Sequence, residues 1–320
     1  MPIIDRYANE CLDYWHLFPI IGMTFAEDET SDFLLDTKLF PKIFLKRSTK
    51  LQSVDLNNQL FKHFFDEADA FLGVRMRLSE LGNSPGSLGE SHNINQTKAK
   101  AELAGALITL ITGFKNDFNS AAALAGKITT RFENNIAIAD DGRSFHFVSE
   151  SKGIIDYKNT NRTIDTTDLS ANAINAQWGS VITVMDDSSH AHESCKTAVT
   201  NALIHLATGL YTNSSNEIVA NAIACFDLLL KDQSGVRDIQ VQCRLKSLIH
   251  CSRTKIRTAY SPRNNWLHDG VNASKESAIN AVKMAIKAIV LFATLVNSSS
   301  PQTPRTQLAH RLQDTNFPNA

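Results

Sequence analysis

The sequence predicts an α+β N-terminal region followed by an all-α helical bundle, which makes the protein mainly α overall. Residues 135–150 alternate apolar and polar side chains around a turn sequence, as β-hairpins do. After residue 190 the apolar residues recur every three or four positions, which is typical of amphipathic helices. The 320 residues favour two domains, at about 100–200 residues each. We therefore predict an N-terminal domain over 1–190, a helical bundle over 191–298 and a flexible tail over 299–320.

Composition and charge exclude several classes of protein. Lys and Arg total 32 against 33 Asp and Glu, so a globally basic nucleic-acid binder and an acidic disordered chain are both disfavoured. The five cysteines form no CxxC pair, which favours a reducing compartment. No signal-peptide pattern opens the chain, and the longest apolar stretch, Ala288–Val296, is far shorter than the ~20 residues of a spanning helix. We expect a cytoplasmic protein with no membrane partner.

The N-terminal domain contains candidates for both kinds of secondary structure. Apolar residues at helical spacing predict helices over 55–81 and 98–114, with a Gly/Ser/Pro-rich loop over 83–92 between them. A β-hairpin is predicted over 135–150, because its two alternating segments flank the turn residues DDGR. Val181–Met185 is a candidate for one more strand. No motif in this domain indicates an activity, so a role as sensor or substrate-binding part is the expectation.

The C-terminal domain reads as four main helices joined by short loops. They are predicted at Glu193–Tyr211, Ser214–Lys231, about Gly235–Cys251 and about Ser274–Val296. The last is apolar nearly all round, so it should be largely buried. Short connections between amphipathic helices favour a compact bundle.

A candidate site lies between the third and last of these helices, in the sequence RTAYSPRNNWLHDG. Ser261 suits the cap of a short helix, Pro262 its first position and Gly270 its end. Arg263 and His268 are five residues apart, and we expect their side chains on neighbouring parts of one face.

This segment resembles the HEPN superfamily, in particular its Apea-like branch. The family motif is an Arg, a polar residue and a His separated from the Arg by four to six residues, which Arg263, Asn264 and His268 match. The resemblance covers roughly residues 193–296. The family usually has Gly directly after the His, whereas Asp269 intervenes here.

Two further positions correspond to features around the family motif. The family often carries an acidic residue in the second helix of the bundle, for which Asp227 is the counterpart, and Tyr260 supplies an aromatic residue before the motif. Two other Arg–His pairs have a similar spacing, Arg244–His250 and Arg305–His310. Neither has the polar neighbour or the loop-to-helix context, so context favours Arg263 and His268 over them.

The resemblance implies metal-independent RNA cleavage without a cofactor. In that reaction the ribose 2′-OH attacks its own 3′-phosphate and leaves a 2′,3′-cyclic phosphate and a 5′-OH. Arg263 would stabilise the charge on the phosphate, His268 would transfer protons and Asn264 would orient them. The resemblance also implies a homodimer with a composite active site, a toxin or antiviral defence role, and an antitoxin or an activating trigger as a partner. The alternative is a non-catalytic HEPN module for RNA binding or dimerisation.

The charge pattern near the motif favours an RNA partner. No Asp or Glu occurs from Arg244 to His268, and such a basic segment would attract a phosphate backbone. The candidate RNA-binding residues are Arg244, Lys246, Arg253, Lys255 and Arg257.

A third hypothesis is a metal-dependent hydrolase. His190 and His192 stand close to Asp186 and Asp187, but HxH needs further ligands that the sequence does not place, so a domain-junction loop is favoured. Cys195 and Cys225 lie on apolar helical faces and are expected to be inert core thiols. GxSxG, GxxxxGK[ST] and GxGxxG are all absent from the sequence, which gives no support to a serine hydrolase elbow or a nucleotide-binding loop.

Overall fold

A computed structural model defines the fold over part of the chain. The helical part is described over residues 171–185, 189–211, 214–231 and 238–312. Before residue 171 the structure describes the backbone of nine short strands and four helical positions.

The described strands form a larger and a smaller sheet. They are β1 (Asp13–Ile21), β2 (Thr24–Phe25), β3 (Ile43–Arg47), β4 (Ala70–Arg77), β5 (Lys127–Thr129), β6 (Asn135–Ala139), β7 (Phe145–Val148), β8 (Ile154–Asp156) and β9 (Thr163–Ile164). The larger sheet has the order β3-β4-β1-β6-β7 with antiparallel neighbours, while β8 pairs with both β1 and β5. The smaller sheet is the parallel pair β2 and β9.

Parts of the N-terminal predictions can be compared with these elements. The segment predicted as a hairpin contains β6 and β7, which pair antiparallel with Asn135 opposite Val148. Leu103, Ala106, Leu107 and Leu110 are helical and buried, in the segment predicted as a helix over 98–114. The loop predicted over 83–92 lies outside the described residues. Since most of the first 170 residues also lie outside them, the α+β character of this region stays a prediction.

The helix predicted over 55–81 is wrong at its C-terminal end, because residues 70–77 form β4. Leu72, Val74 and Met76 alternate along that strand, and a short apolar run does not by itself distinguish a strand from a helix. Residues 55–69 lie outside the described part of the chain.

The predicted all-α bundle is confirmed over residues 176–312, where the described residues include helices and no strand. The helices are α1 (Ala171–Met185), α2 (Glu193–Tyr211), α3 (Ser215–Leu230), α4 (Asp238–Ile249), α5 (Arg253–Asp269), α6 (Lys275–Asn297) and α7 (Arg305–Arg311). Side-chain caps fix several of their starts: Ser214 Oγ accepts from Glu217 N at α3, and Ser274 Oγ accepts from Ser277 N at α6. Such caps satisfy backbone N–H groups that have no partner within the helix.

The core of the bundle is formed by α2, α3 and α6. Ten apolar residues of α6 between Ala278 and Val296 are buried, and they lie within about 160° of one another around the helix axis. The helix is therefore buried along one broad face, whereas its sequence is apolar nearly all round. At the contact of α2 with α3, a Cβ on Gly209 would lie 2.6 Å from Asn221 Cβ, so this glycine permits the close approach. Among the described helices α6 alone has the length and apolar composition of a membrane span, but the core helix of a soluble domain meets the same criteria.

The helical unit includes α1, which the sequence analysis assigned to the N-terminal domain. The chain divides into one compact unit over 1–108 with 126–171 and another over 109–125 with 172–320. The strand predicted at Val181–Met185 is wrong, since these residues end α1. Thr294 Oγ1 donates to Ser180 Oγ and Asn297 Nδ2 donates to Ser180 O, which ties α1 to the end of α6. Contacts with residues more than 100 positions later in the sequence therefore stabilise this segment as a helix, although it is rich in β-branched residues.

The segment predicted as a flexible tail contains a packed helix as far as residue 311. Leu308 and Ala309 of α7 are fully buried, and Arg305 N donates to Ser194 Oγ. Residues 313–320 lie outside the described part. The polar, proline-containing sequence before α7, from which the flexible tail was predicted, gave no sign of the helix after it.

Two arginines bond the carbonyl oxygens at the C-terminal end of α3. Arg244 Nη1 donates to Leu230 O at 2.7 Å, and Arg305 Nη1 donates to Leu228 O at 3.0 Å and also to Lys231 O. The last carbonyls of a helix have no partner within it and form the negative end of its dipole, so two guanidinium groups suit this place. The two Arg–His pairs that resemble the family motif by spacing alone thus contribute arginines to the structure of the bundle.

We expect Arg305→Ala to destabilise the full-length protein by about 1–3 kcal/mol, because it leaves partly buried carbonyl oxygens without their charged donor. Chemical denaturation followed by circular dichroism measures the change. Arg311→Ala is the matched control, since Arg311 is exposed on the same helix and should cost little. Equal stability of the two variants would contradict the capping role of Arg305.

Candidate functional site

The predicted site lies on one continuous helix, α5. The helix starts after Ser252, whose Oγ accepts from Lys255 N, and it ends at Gly270, which adopts a left-handed conformation with φ of 67°. Gly270 therefore ends the helix as predicted, because this conformation is strained for residues with a Cβ. The prediction that Ser261 and Pro262 begin a short helix is wrong, since both lie inside α5.

Burial explains why α5 continues through Pro262. Ile256, Ala259 and Tyr260 form a buried face at helical spacing, two to six residues before the proline. Docking this face against α3 and α4 stabilises a helix that begins at Arg253, although an interior proline removes one backbone hydrogen bond. The Ser-Pro sequence predicts a helix start at Ser261, but burial of the apolar residues before it favours a helix that begins earlier.

Arg263 and His268 do not share one face of α5. At about 100° per residue, five residues rotate the helix by about 140°, and this places the two side chains on different sides. Arg263 falls in line with the buried residues and its side chain is 30% exposed, whereas His268 is exposed. The predicted neighbouring positions are thus wrong for a single chain.

His268 instead belongs to an exposed stripe that runs along α5. Arg253, Arg257, Ser261, Asn264 and His268 are all exposed. Their positions fall within about 80° of one another around the helix axis. The stripe contains two arginines and no acidic residue, and it ends at His268. We refer to these five residues as the α5 stripe.

The other predicted RNA-binding residues do not belong to this stripe. Arg244 is 2% exposed and donates to Leu230 O, so its assignment to an RNA surface is wrong. Its guanidinium binds a carbonyl oxygen inside the bundle. Lys246 is half-buried on α4. Lys255 is exposed on another side of α5. Burial raises the pKa of the Cys251 thiol, and the charges of Lys287 and Lys255 offset part of that increase.

Arg263 contacts an acidic residue that the sequence analysis did not single out. Its Nη1 lies 3.8 Å from Oδ2 of Asp238, the first residue of α4, whose side chain is 57% exposed. The acid-free segment begins at Arg244, six positions after this acidic residue. The sequence indicates that Asp238 lies near the start of a helix, but its contact with Arg263 depends on how α4 and α5 pack.

Asp227 and Tyr260 lie in the same electrostatic environment as this ion pair. Burial raises the pKa of the half-buried Asp227, Lys231 and Arg263 lower it, and Asp238 raises it. Burial also raises the pKa of Tyr260, with further contributions from Asp227 and Asp238. The Tyr260 ring stacks on Phe226, with 5.9 Å between the ring centroids. Tyr260 Oη is buried and has no hydrogen-bond partner among the described residues.

The turn after the motif is tied to the start of α3. Asn216 Nδ2 donates to Asn272 Oδ1 at 2.7 Å, and Ala273 N donates to Asn216 Oδ1 at 2.7 Å. Asp269, which departs from the family pattern, is exposed before Gly270. These contacts fix the end of α5 and hence the place of His268.

His192 has a structural role at the start of α2. Its Nδ1 accepts from Ser194 N, and its carbonyl accepts from Cys195 N and Lys196 N, which is the arrangement of a helix cap. His190 is exposed, while Asp186 and Asp187 lie outside the described residues. In the described part, no three His, Cys, Asp or Glu residues are grouped so as to hold a metal ion. Cys195 and Cys225 are fully buried, as predicted.

The comparisons with known proteins give no class for this chain. No protein-family model, no curated protein and no solved structure matches it. The class must therefore be argued from the helical bundle and the residues of α5.

We expect Asp227→Asn to stabilise the protein at neutral pH by about 1 kcal/mol or less, after discounting for solvent screening. Burial raises the pKa of Asp227, so the fold favours the protonated form, and stability falls as pH rises through the raised value. The gain should shrink as pH falls from the raised pKa towards the ordinary pKa of aspartate, and below the ordinary pKa it should vanish, because the carboxyl is then protonated in both states. Urea denaturation across this range measures it, with exposed Asp269→Asn as control. A loss of stability at neutral pH would contradict the argument.

Proposed function

We propose that the protein is a metal-independent RNA endonuclease of the HEPN type, acting in the cytoplasm as a toxin or antiviral effector. The observation that supports it best is the α5 stripe, which aligns His268 and Asn264 with two exposed arginines. A phosphate backbone lying along the arginines would reach an imidazole at the end of the stripe. The defence role rests on the family resemblance alone.

The chemistry requires little from the protein, since the nucleophile belongs to the substrate. The 2′-oxygen forms a bond to phosphorus while the bond from phosphorus to the 5′-oxygen breaks. One proton leaves the 2′-OH and another is delivered to the 5′-oxygen, and an imidazole can serve both transfers in turn. A guanidinium stabilises the charge on the phosphate oxygens. DNA lacks the 2′-OH and would be spared.

The separation of Arg263 from His268 around α5 favours a composite site. Since about 140° divides them on one helix, a phosphate between them would take its arginine from one chain and its histidine from a second. We therefore propose a homodimer, with an antitoxin or an activating trigger as a further partner.

The alternative is a non-catalytic module that binds RNA or dimerises. The ion pair of Arg263 with Asp238 favours it, because a paired guanidinium has a structural use without any substrate. This second function would be favoured if Arg263→Ala loses RNA binding while the unaltered protein shows no measurable cleavage.

We expect His268→Ala and Arg263→Ala each to reduce cleavage of a single-stranded RNA in EDTA by about 10²–10⁴-fold. Gel analysis of a labelled RNA measures the rate, and circular dichroism checks the fold. His205→Ala is the control, since His205 is an exposed histidine on α2. Unchanged cleavage by both site variants would overturn the catalytic assignment, and loss of cleavage in EDTA by the unaltered protein would favour the metal-dependent hydrolase.

The composite site predicts complementation between two inactive chains. Co-expressed with different tags, Arg263→Ala and His268→Ala form heterodimers in which one of the two sites has both intact residues. We expect purified heterodimers to recover cleavage that neither homodimer shows. Light scattering checks the dimer; an active monomer at all concentrations would contradict the composite site.

A further inference from the structure

The ion pair between Arg263 and Asp238 is weak by its geometry. A single pair of atoms at 3.8 Å joins the two side chains, and both side chains are partly exposed, at 30% and 57%. Ion pairs near solvent are screened and contribute little to stability. The contact can therefore open without disturbing the fold.

A phosphodiester would bind the same guanidinium better than Asp238 does. Arginine binds phosphate through two parallel N–H···O bonds, which are shorter and stronger than a single long contact. A carboxylate beside the guanidinium would repel an incoming phosphate, so the phosphate and Asp238 compete for one cation.

Asp238 is suited to this competition by its place at the start of α4. An acidic residue in the first turn is stabilised by the helix dipole, so Asp238 is favoured at the start of α4 whether or not Arg263 contacts it. Asp227 also lowers the net positive charge around Arg263, but it is half-buried on α3 while Asp238 faces solvent. Of the two, Asp238 is the one a polyanion would meet first.

We propose that Asp238 occupies the phosphate-binding edge of Arg263 when no substrate is bound, and that RNA phosphate displaces it. The inference rests on the proposed function, because it takes Arg263 as a phosphate ligand. Asp238 is then a residue that lowers RNA affinity, rather than one that positions Arg263 for catalysis. The two roles predict opposite effects when its charge is removed.

The test uses Asp238→Asn in the full-length protein, since Asn keeps the size of the side chain and is tolerated at helix starts. Fluorescence anisotropy with a 2′-O-methyl RNA measures binding without cleavage, because the attacking hydroxyl is blocked. We expect Asp238→Asn to bind about three- to tenfold more tightly. In cleavage, KM should fall while kcat stays close to that of the unaltered protein.

Two controls separate competition from a general change in charge. Glu276→Gln removes one negative charge from the exposed first turn of α6, so it matches Asp238→Asn in charge and in helix position. It should leave affinity nearly unchanged. In an Arg263→Ala background, Asp238→Asn should no longer tighten binding, since the two anions have no cation to compete for.

Each outcome separates this inference from the proposed function. Unchanged or weaker binding by Asp238→Asn, or a fall in kcat with KM unchanged, would overturn the competition while leaving RNA cleavage intact. An equal gain with Glu276→Gln would overturn it too. If Arg263→Ala alters neither binding nor cleavage, the proposed function itself fails, whatever Asp238→Asn does.

Discussion

The C-terminal end of α3 sets the constraint on which much of the bundle depends. Leu229 and Leu230 are fully buried, so the carbonyl oxygens around them cannot rely on water for hydrogen bonds. Arg244 from α4 and Arg305 from α7 supply the donors. Each guanidinium compensates for its own burial by binding the negative end of the helix dipole. The packing of α4 and the folding of α7 are thus tied to one helix end.

The candidate site lies at the same end of α3. Asp227 is one turn before Lys231, the residue that ends the helix, and the charges of Lys231, Asp238 and Arg263 all act on the pKa of Asp227, which burial raises. The environment of Arg263 therefore depends on the same helix packing that supplies hydrogen-bond donors to the end of α3, even when no substrate is bound. A substitution of Arg244 should also change the surroundings of Arg263, because Arg244 and Asp238 lie on the same helix, α4.

The sequence predicts those parts of the fold that depend on local spacing. The apolar faces of α2, α3 and α6 recur every three or four residues, and the ends at Ser274 and Gly270 follow from capping chemistry. It could not predict the start of α5, because docking of Ile256 and Tyr260 outweighs the local signal of Ser261 and Pro262. Nor could the sequence predict that Arg244 is buried while Arg257 is exposed. An arginine occurs in the sequence in the same way whether it binds a buried carbonyl oxygen or faces solvent. The pairing of Arg263 with Asp238 spans two helices, and only their packing reveals it.

Arg263 and His268 lie on one helix, and this limits what the Arg–His motif can mean. A single helix from Arg253 to Asp269 fixes their separation at about 140°, and no rotation of the backbone within that helix can remove it. The side of α5 that contains Arg263 is directed to the ion pair and the bundle, and the side that contains His268 is open. In the proposed function, chemistry that uses both on one phosphate would therefore bring a second α5 to the first, and the contact between chains would be part of the proposed active site.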